Sequence, residues 1–282
     1  MSSRWRRVIA DNRLGAVGGV LVVALVLAAL LGPAVYPPDP TEQHLTERLQ
    51  PPSAAHPLGT DELGRDVLAR LLAGARISLG VAVLVTTVRV LLGTLVGLVA
   101  GYAGGWVDEA LMRFVDVVLA FPGIVLALIV AGVLGPSLLN VTLALAVVGW
   151  SSYARLVRGN VLAVKERGFV SAARLAGLSP FGIARRHVLP NVMGSVVVLA
   201  TLDVGGVILA TAGLSFLGLG AQPPTPEWGT MLASGRNYLR QAWWLVNVPG
   251  VAIVLVVLGF NLLGDAARDA LDPREESTLE RL

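Results

Sequence analysis

Gly168–Pro190 reads GFVSAARLAGLSPFGIARRHVLP and lies between two long apolar runs. The stretch is itself amphipathic and basic. Phe169, Ala172, Ala173 and Ala176 recur at helical spacing, and the small side chains at 172, 173 and 176 let such a helix lie close against another surface. Gly177 follows the last good helical position and suits a left-handed C-cap. Ser179 and Pro180 fit the N-cap and first residue of a second helix. That helix carries Ile183, Ala184, Arg185, Arg186 and His187, and meets Leu189 and Pro190 where the next apolar run begins. Helix, glycine turn, capped helix and proline make a unit compact enough to transmit a push as a solid body. By periodicity alone, a docking segment and an ordinary basic cytoplasmic loop fit this stretch equally well.

The flanking runs set the class. The 282 residues are 55% hydrophobic and 15% charged, with a mean hydropathy of +0.72, whereas soluble domains carry about 25% charge. Six apolar runs stand out, at about 14–36, 77–100, 114–134, 138–157, 192–214 and 248–263, each near the length a bilayer demands. The first exceeds the core of a secretory signal and lacks a clean cleavage site, so it is expected to be a span. The third contains Pro122 and Gly123, where a kink or break is expected. The fourth is the most polar, with Asn140 and Trp150 to Tyr153, and its polar end is expected to face protein or water. The absence of cysteine excludes disulfide and thiol chemistry. His44, His56 and His187 are far apart in the chain, so no shared metal site is expected. The arginines flank apolar runs and form no single charged face, which argues against nucleic acid.

With the amino end inside, fifteen of the 22 basic side chains fall on the cytoplasmic side and six outside, with Arg89 within a span. This agrees with the positive-inside rule and places both termini in the cytoplasm. The outer segment 37–76 is proline-rich, and Thr60 or Asp61 is expected to cap a short interfacial helix through GRDVLARLLAGARISL. The outer segment 215–247 is expected to be re-entrant or surface-lying, with Trp228, Tyr238, Trp243 and Trp244 at headgroup level. Residues 1–76 are then the amino tail, first span and outer region. Residues 77–264 are expected to form the core, with five further spans and the segment 164–190, and 265–282 a cytoplasmic tail. Two charges fall near span centres. Arg89 and Asp203 are expected to pair across a helix interface, or one of them to line a path, because a lone charge there is costly. Asp116, nearer an end, is expected to be interfacial. Gly93 and Gly97 form a small-xxx-small pattern expected for close packing.

The segment 168–190 resembles the coupling motif of binding-protein-dependent ABC importers, which runs Glu-Ala-Ala, three residues, Gly, and ends near Leu-Pro. Ala172, Ala173, Gly177, Leu189 and Pro190 match it. Ser171 stands where that family usually has Glu, which removes one charged contact. His187 falls in the RHVLPN form (186–191) frequent in the peptide-importer branch. Residues 56–79, 101–128 and 213–239 resemble the second permease subunit of the dipeptide, oligopeptide and nickel branch. With the coupling motif, these matches cover most of 56–264.

The resemblance implies an all-α, type I ABC importer permease fold in the bacterial inner membrane. Six transmembrane helices are expected, with a cytoplasmic coupling helix between spans four and five. It implies Ser171, Ala172, Ala173, Gly177, His187, Leu189 and Pro190 as ATPase-coupling residues. The implied partners are a homologous second permease, two cytoplasmic ATPase subunits and an extracytoplasmic solute-binding protein. The expected cargo is a di- or oligopeptide, with nickel or another small solute as the alternative. The chain has no GxxxxGK[ST] loop and one lysine, Lys165. No catalytic residue is expected in it, and ATP and Mg2+ are expected on the partner ATPases. An ion-driven secondary transporter would be expected to show related halves with paired broken helices, and only Phe121-Pro122-Gly123 interrupts a span. A membrane assembly protein without a transport role needs none of this machinery.

Overall fold

A computed structural model describes residues 13–271. Arg4, Arg6, Arg7, Arg274 and Arg281, which enter the charge map, lie outside the described residues. In chain order the helices are α1 (Arg13–Val35), α2 (Val67–Ala103), α3 (Gly105–Leu119), α4 (Gly123–Leu134), α5 (Leu138–Lys165) and α6 (Gly168–Leu175). They continue with α7 (Pro180–Ile183), α8 (Leu189–Phe216), α9 (Trp228–Gly235) and α10 (Trp244–Leu271). A π-helical stretch, Ala184–Val188, joins α7 to α8 without a break. Among the described residues, the only β pairing is an isolated bridge between Thr60 and Asp66.

Helix α1 buries only Gly15, Gly18, Ala29 and Gly32 and turns its valines and leucines outward, as a lipid-facing helix must. Its glycine face meets α10: a Cβ on Gly18 would lie 2.9 Å from the Gly259 carbonyl oxygen. Pro33 has no N–H to give the Ala29 carbonyl. Arg76 of α2 fills that vacancy, donating from Nε to Ala29 O at 2.6 Å and from Nη2 to Leu30 O at 2.5 Å.

Helix α2 is 37 residues long, or about 55 Å, against a hydrocarbon core of about 30 Å. Its N-cap is Asp66, whose side chain accepts from Ala69 N. This corrects the expected cap at Thr60 or Asp61 and the expected separate interfacial helix. No proline lies between Val67 and Ala103, so the helix runs on, and the expected boundary at 76/77 falls inside it. The expected core limit at 264 likewise falls inside α10, which continues to Leu271.

Thr60 and Asp61 instead fold the strap 37–66 onto the helix ends. Asp61 Oδ1 accepts from Leu63 N and Arg65 N at 2.9 and 3.0 Å, and its Oδ2 accepts from Arg65 Nε at 2.6 Å. Arg70 approaches the same carboxylate at 3.4 Å and donates to Pro40 O at 2.9 Å. Asp61, Arg65 and Arg70 are all buried. Tyr36 Oη donates to Asp66 Oδ2 at 2.9 Å. Burial, followed by the adjacent Asp66 carboxylate, pushes the Tyr36 hydroxyl up to about 12.

Neither Trp228 nor Trp244 keeps the wet ring end expected of an interfacial anchor. Both are buried because their indole N–H groups find backbone acceptors, Leu71 O and Thr60 O, each at 3.1 Å. Trp243 is exposed and Tyr238 is partly buried. The segment 215–247 therefore packs down through α9, whose N-cap Glu227 is buried and bonded to Ser78 and Thr230.

Among the described residues, four helices are long and apolar enough to cross a membrane: α1, α2, the continuous Pro180–Phe216 helix, and α10. The pair α3 and α4 adds a fifth span if counted together, and it is bent by 84°. Helix α5 has the length, at 28 residues, but its apolar half gives way to Gly149–Tyr153 and then Arg155 and Arg158. It packs against α2, α4 and α8, and on its apolar half Leu139, Leu143 and Val147 remain exposed.

Candidate coupling segment and intramembrane charge site

The candidate coupling segment, 164–190, is anchored from beneath. Val157, Val161 and Val164 of α5, Val170 and Ala173 of α6, Ile183, Val188, and Val192 and Val196 of α8 form one buried apolar cluster. Full burial of side chains of this size contributes on the order of 1.5–3 kcal/mol each, so α6 and α7 are fused to two long helices. Helix α6 ends in a Schellman motif. Gly177 has φ +80°, its N–H donates to Arg174 O at 3.0 Å, and Leu178 N–H donates to Ala173 O at 3.2 Å. Ser179 Oγ then accepts from Gly182 N at 3.2 Å, with Pro180 in the first turn of α7. In the π-helical stretch, Leu189 N–H reaches back five residues to Ala184 O. This wider turn precedes Pro190, which has no N–H to give.

The expected residues divide between two faces. Ser171, Ala172, Gly177 and Pro190 are exposed, Ala173 is buried, and His187 and Leu189 are half-buried. The face expected from Phe169, Ala172, Ala173 and Ala176 is therefore split. Val170 and Ala173 point into the cluster, whereas Phe169, Ala172 and Ala176 point away. The outer face mixes apolar and basic groups: Leu175 is 90% exposed and Phe181 75%, beside exposed Arg174, Arg185 and Arg186. The Phe169 and His187 rings lie 6.3 Å apart. Sequence periodicity missed Val170 because a single valine among small residues carries little signal.

Polar ties brace the segment from the side. Lys165 Nζ donates to Gly101 O and Tyr102 O, the last carbonyls of α2, at 2.9 and 3.2 Å. Arg158 grips Asp108 of α3 through two bonds of 2.6 and 2.7 Å, the bidentate geometry that suits guanidinium to carboxylate. Arg155 pairs with Asp116.

The second site joins α2, α5 and α8. Arg89 Nη1 donates to Asp203 Oδ1 at 2.8 Å, and Arg89 Nε and Nη2 donate to Leu145 O at 2.9 and 2.7 Å. Tyr153 Oη donates to the other oxygen of Asp203 at 3.0 Å. The arginine crosses α5 at Gly149, where a Cβ would lie 2.0 Å from Arg89 Nε. Leu145, Gly149 and Tyr153 had no signal beyond the general polarity of the fourth apolar run. Next to the pair opens a cleft of about 260 Å3 lined by Arg89, Leu145, Ser151, Ser152, Phe121 and Gly123, among others. Its far wall is the elbow between α3 and α4. There the helix stops at Leu119 and restarts at Gly123, with Pro122 immediately before the new helix.

Residues 93–277 match the family described as the binding-protein-dependent transport system inner membrane component. The chain belongs to that family. Residues 3–52 of this inner-membrane component match the N-terminal TM domain of oligopeptide transport permease C. The component is 44% identical over 278 residues to the dipeptide transport system permease protein DppC of Alkalihalophilus pseudofirmus, covering 98% of this chain and 91% of the relative. It is 46% identical over 267 residues to the di/tripeptide transport system permease protein DppC of Pseudomonas aeruginosa, covering 92% and 88%. Among solved structures, a chain of the methionine ABC transporter MetNI in an inward-facing conformation aligns with a TM-score of 0.58 at 20% identity, over 71% of this chain and 95% of that one. This likeness shows the fold, the type I ABC importer permease fold.

Proposed function

We propose that this chain is one permease subunit of an ATP-driven importer of di- or oligopeptides. It forms half of a path that alternates between two access states, driven by separate ATPase subunits that bind ATP and Mg2+. The observation that supports coupling is the capped unit 164–190. Its inner face is fused to α5 and α8, and its outer face leaves Leu175 and Phe181 exposed among the described residues. Exposed apolar groups on a rigid mount suit a protein partner. An ATPase that moves this surface moves α5 and α8 with it, and with them the charge site.

On this reading Ser171, Ala172, Ala173, Gly177, His187, Leu189 and Pro190 shape and mount the docking surface. The segment and both termini are cytoplasmic, and the strap 37–66 faces an extracytoplasmic solute-binding protein. A homologous permease completes the path within the bacterial inner membrane. The peptide cargo rests on the names of the two DppC relatives, both of them peptide permeases.

The test is ATP hydrolysis by the co-purified complex in lipid, with and without its binding protein and a panel of short peptides. Peptide-stimulated hydrolysis is expected. Leu175→Glu with Phe181→Glu is expected to abolish it while leaving the fold intact, because both side chains are exposed. A chain that purifies without any associated ATPase overturns the proposal.

A further inference from the structure

The charge site has a donor set that its internal bonds do not use up. A guanidinium offers one N–H at Nε and two on each terminal nitrogen. Arg89 spends Nε and one N–H of Nη2 on Leu145 O, and one N–H of Nη1 on Asp203. The second N–H on each terminal nitrogen is uncommitted, and Arg89 borders the 260 Å3 cleft. That volume is close to the lower end of small-molecule pockets, about 300 Å3. The cleft combines this donor pair with the hydroxyl-bearing Ser151 and Ser152 and with apolar Phe121, Ile124 and Val148. Asp203, itself held by the Tyr153 hydroxyl, accepts from Arg89, and Gly149 gives the arginine room to reach the cleft.

We propose that Arg89 is a solute-reading residue on the path and takes the free carboxylate of a short peptide in the cleft beside the α3–α4 elbow. This rests on the peptide-importer reading. Terminal guanidinium N–H groups match a carboxylate in geometry and charge. The Asp203 carboxylate neutralises Arg89 when the cleft is empty, so the site is stable in the membrane without a ligand. A peptide brings its own ammonium with its carboxylate, so its entry adds no net charge. A wall of Phe121 and Ile124 accepts side chains without reading them. The site therefore discriminates by the terminal carboxylate and tolerates sequence variation.

The test uses the assembled complex in lipid without its binding protein, so that the binding protein's own selectivity does not enter. A dipeptide bearing a photoreactive side chain is cross-linked, and its labelling of residues 118–124 and 149–152 is competed with unlabelled dipeptide or the same dipeptide as its C-terminal amide. The free acid is expected to compete at least tenfold better than the amide. This preference is expected to vanish in R89Q/D203N, which keeps both shapes and removes both charges. It is expected to weaken in Arg89→Lys, whose single ammonium cannot hold Leu145 O and a carboxylate together. Equal competition by acid and amide in the unmodified chain overturns the proposal without any variant, as does a preference that survives in R89Q/D203N. Absence of labelling in the cleft overturns the site. Uptake by the complete transporter, measured in parallel, reports separately on the peptide-importer reading: uptake with no labelling overturns the site alone, and no uptake of any peptide overturns the reading beneath it.

Discussion

Gly97 of α2 lies against Ala154 of α5 so closely that a Cβ on the glycine would come within 2.5 Å of the Ala154 carbonyl oxygen. Gly93 and Gly101, one turn away on either side, meet Trp150–Tyr153 and Val161 in the same way. The ladder lets two backbones touch along the helix that carries the coupling segment. Gly97→Ala is expected to destabilise the fold by about 1–3 kcal/mol through overpacking, despite a helix-propensity gain of about 1 kcal/mol. Gly80→Ala, on the same helix with open space around it, is expected to be neutral or stabilising. Thermal unfolding of the two variants in detergent checks this, and an equal response would show that α2 and α5 are not in backbone contact.

At Gly177 the requirement is conformational, since φ is +80° and nothing lies within 4 Å of a Cβ. A non-glycine residue in this region costs about 1–2 kcal/mol, with Asn among the least disfavoured. Gly177→Val is expected to unlatch the Schellman motif and uncouple ATP hydrolysis from binding protein while the complex still assembles. Gly177→Asn is expected to retain most of the coupling. If both variants behave alike, the left-handed cap is not what matters.

The sequence carried the elements whose signals are local. Gly177, Ser179 and Pro180 announce their caps by residue type, and Pro122 announces the break. The Gly93/Gly97 spacing announces a close helix contact. Other features depended on partners distant in the chain. Trp228 reads as a ring with one wet end until Leu71 O is seen to accept its indole N–H. Arg65 and Arg70 look like solvated charges until Asp61 folds back over them. The cap of α2 moved from Thr60 or Asp61 to Asp66 for the same reason: Thr60 and Asp61 are engaged in the strap, where Asp61 binds Arg65 and Thr60 Oγ1 donates to Glu47 O. At the charge site, Arg89 and Asp203 stood out as ionisable residues in apolar runs. Leu145 O and Gly149 carry no chemistry of their own that a sequence displays.

The buried outer network offers a direct stability test. Asp61 faces two guanidinium groups in a site whose side chains are almost wholly enclosed. Removing one partner of such a pair leaves a buried charge uncompensated and costs about 3–5 kcal/mol. Asp61→Asn is expected to lose stability on that scale and to loosen the strap 37–66. Asp39→Asn, on an exposed carboxylate bonded to Thr41, is expected to lose far less. Limited proteolysis of the strap together with unfolding temperature distinguishes the two. A small loss in Asp61→Asn would mean that solvent or another side chain takes over its role.

Arg89 and Asp203 are held together by one direct bond and share Tyr153 and Leu145 O as further partners, so their contributions are not independent. Arg89→Met strands Asp203 with Tyr153 alone, and Asp203→Leu strands Arg89 against Leu145 O. Each single variant is expected to destabilise the fold, because it leaves a partly buried charge without its counter-ion, but by less than the roughly 3–5 kcal/mol of a fully buried pair, since the adjoining cleft gives the stranded charge some access to water. The double variant removes both charges and is expected to cost less than the sum of the singles, with a coupling of about 0.5–3 kcal/mol. Tyr153→Phe removes only the bond to Asp203 and is expected to cost about 1.5–3 kcal/mol, as a hydrogen bond to a charged group does. Unfolding of the purified variants under one set of detergent conditions yields the cycle. Strict additivity would mean that the two side chains do not form a pair in the folded protein, and the bridge from α2 to α8 would then have to be carried by apolar contact alone.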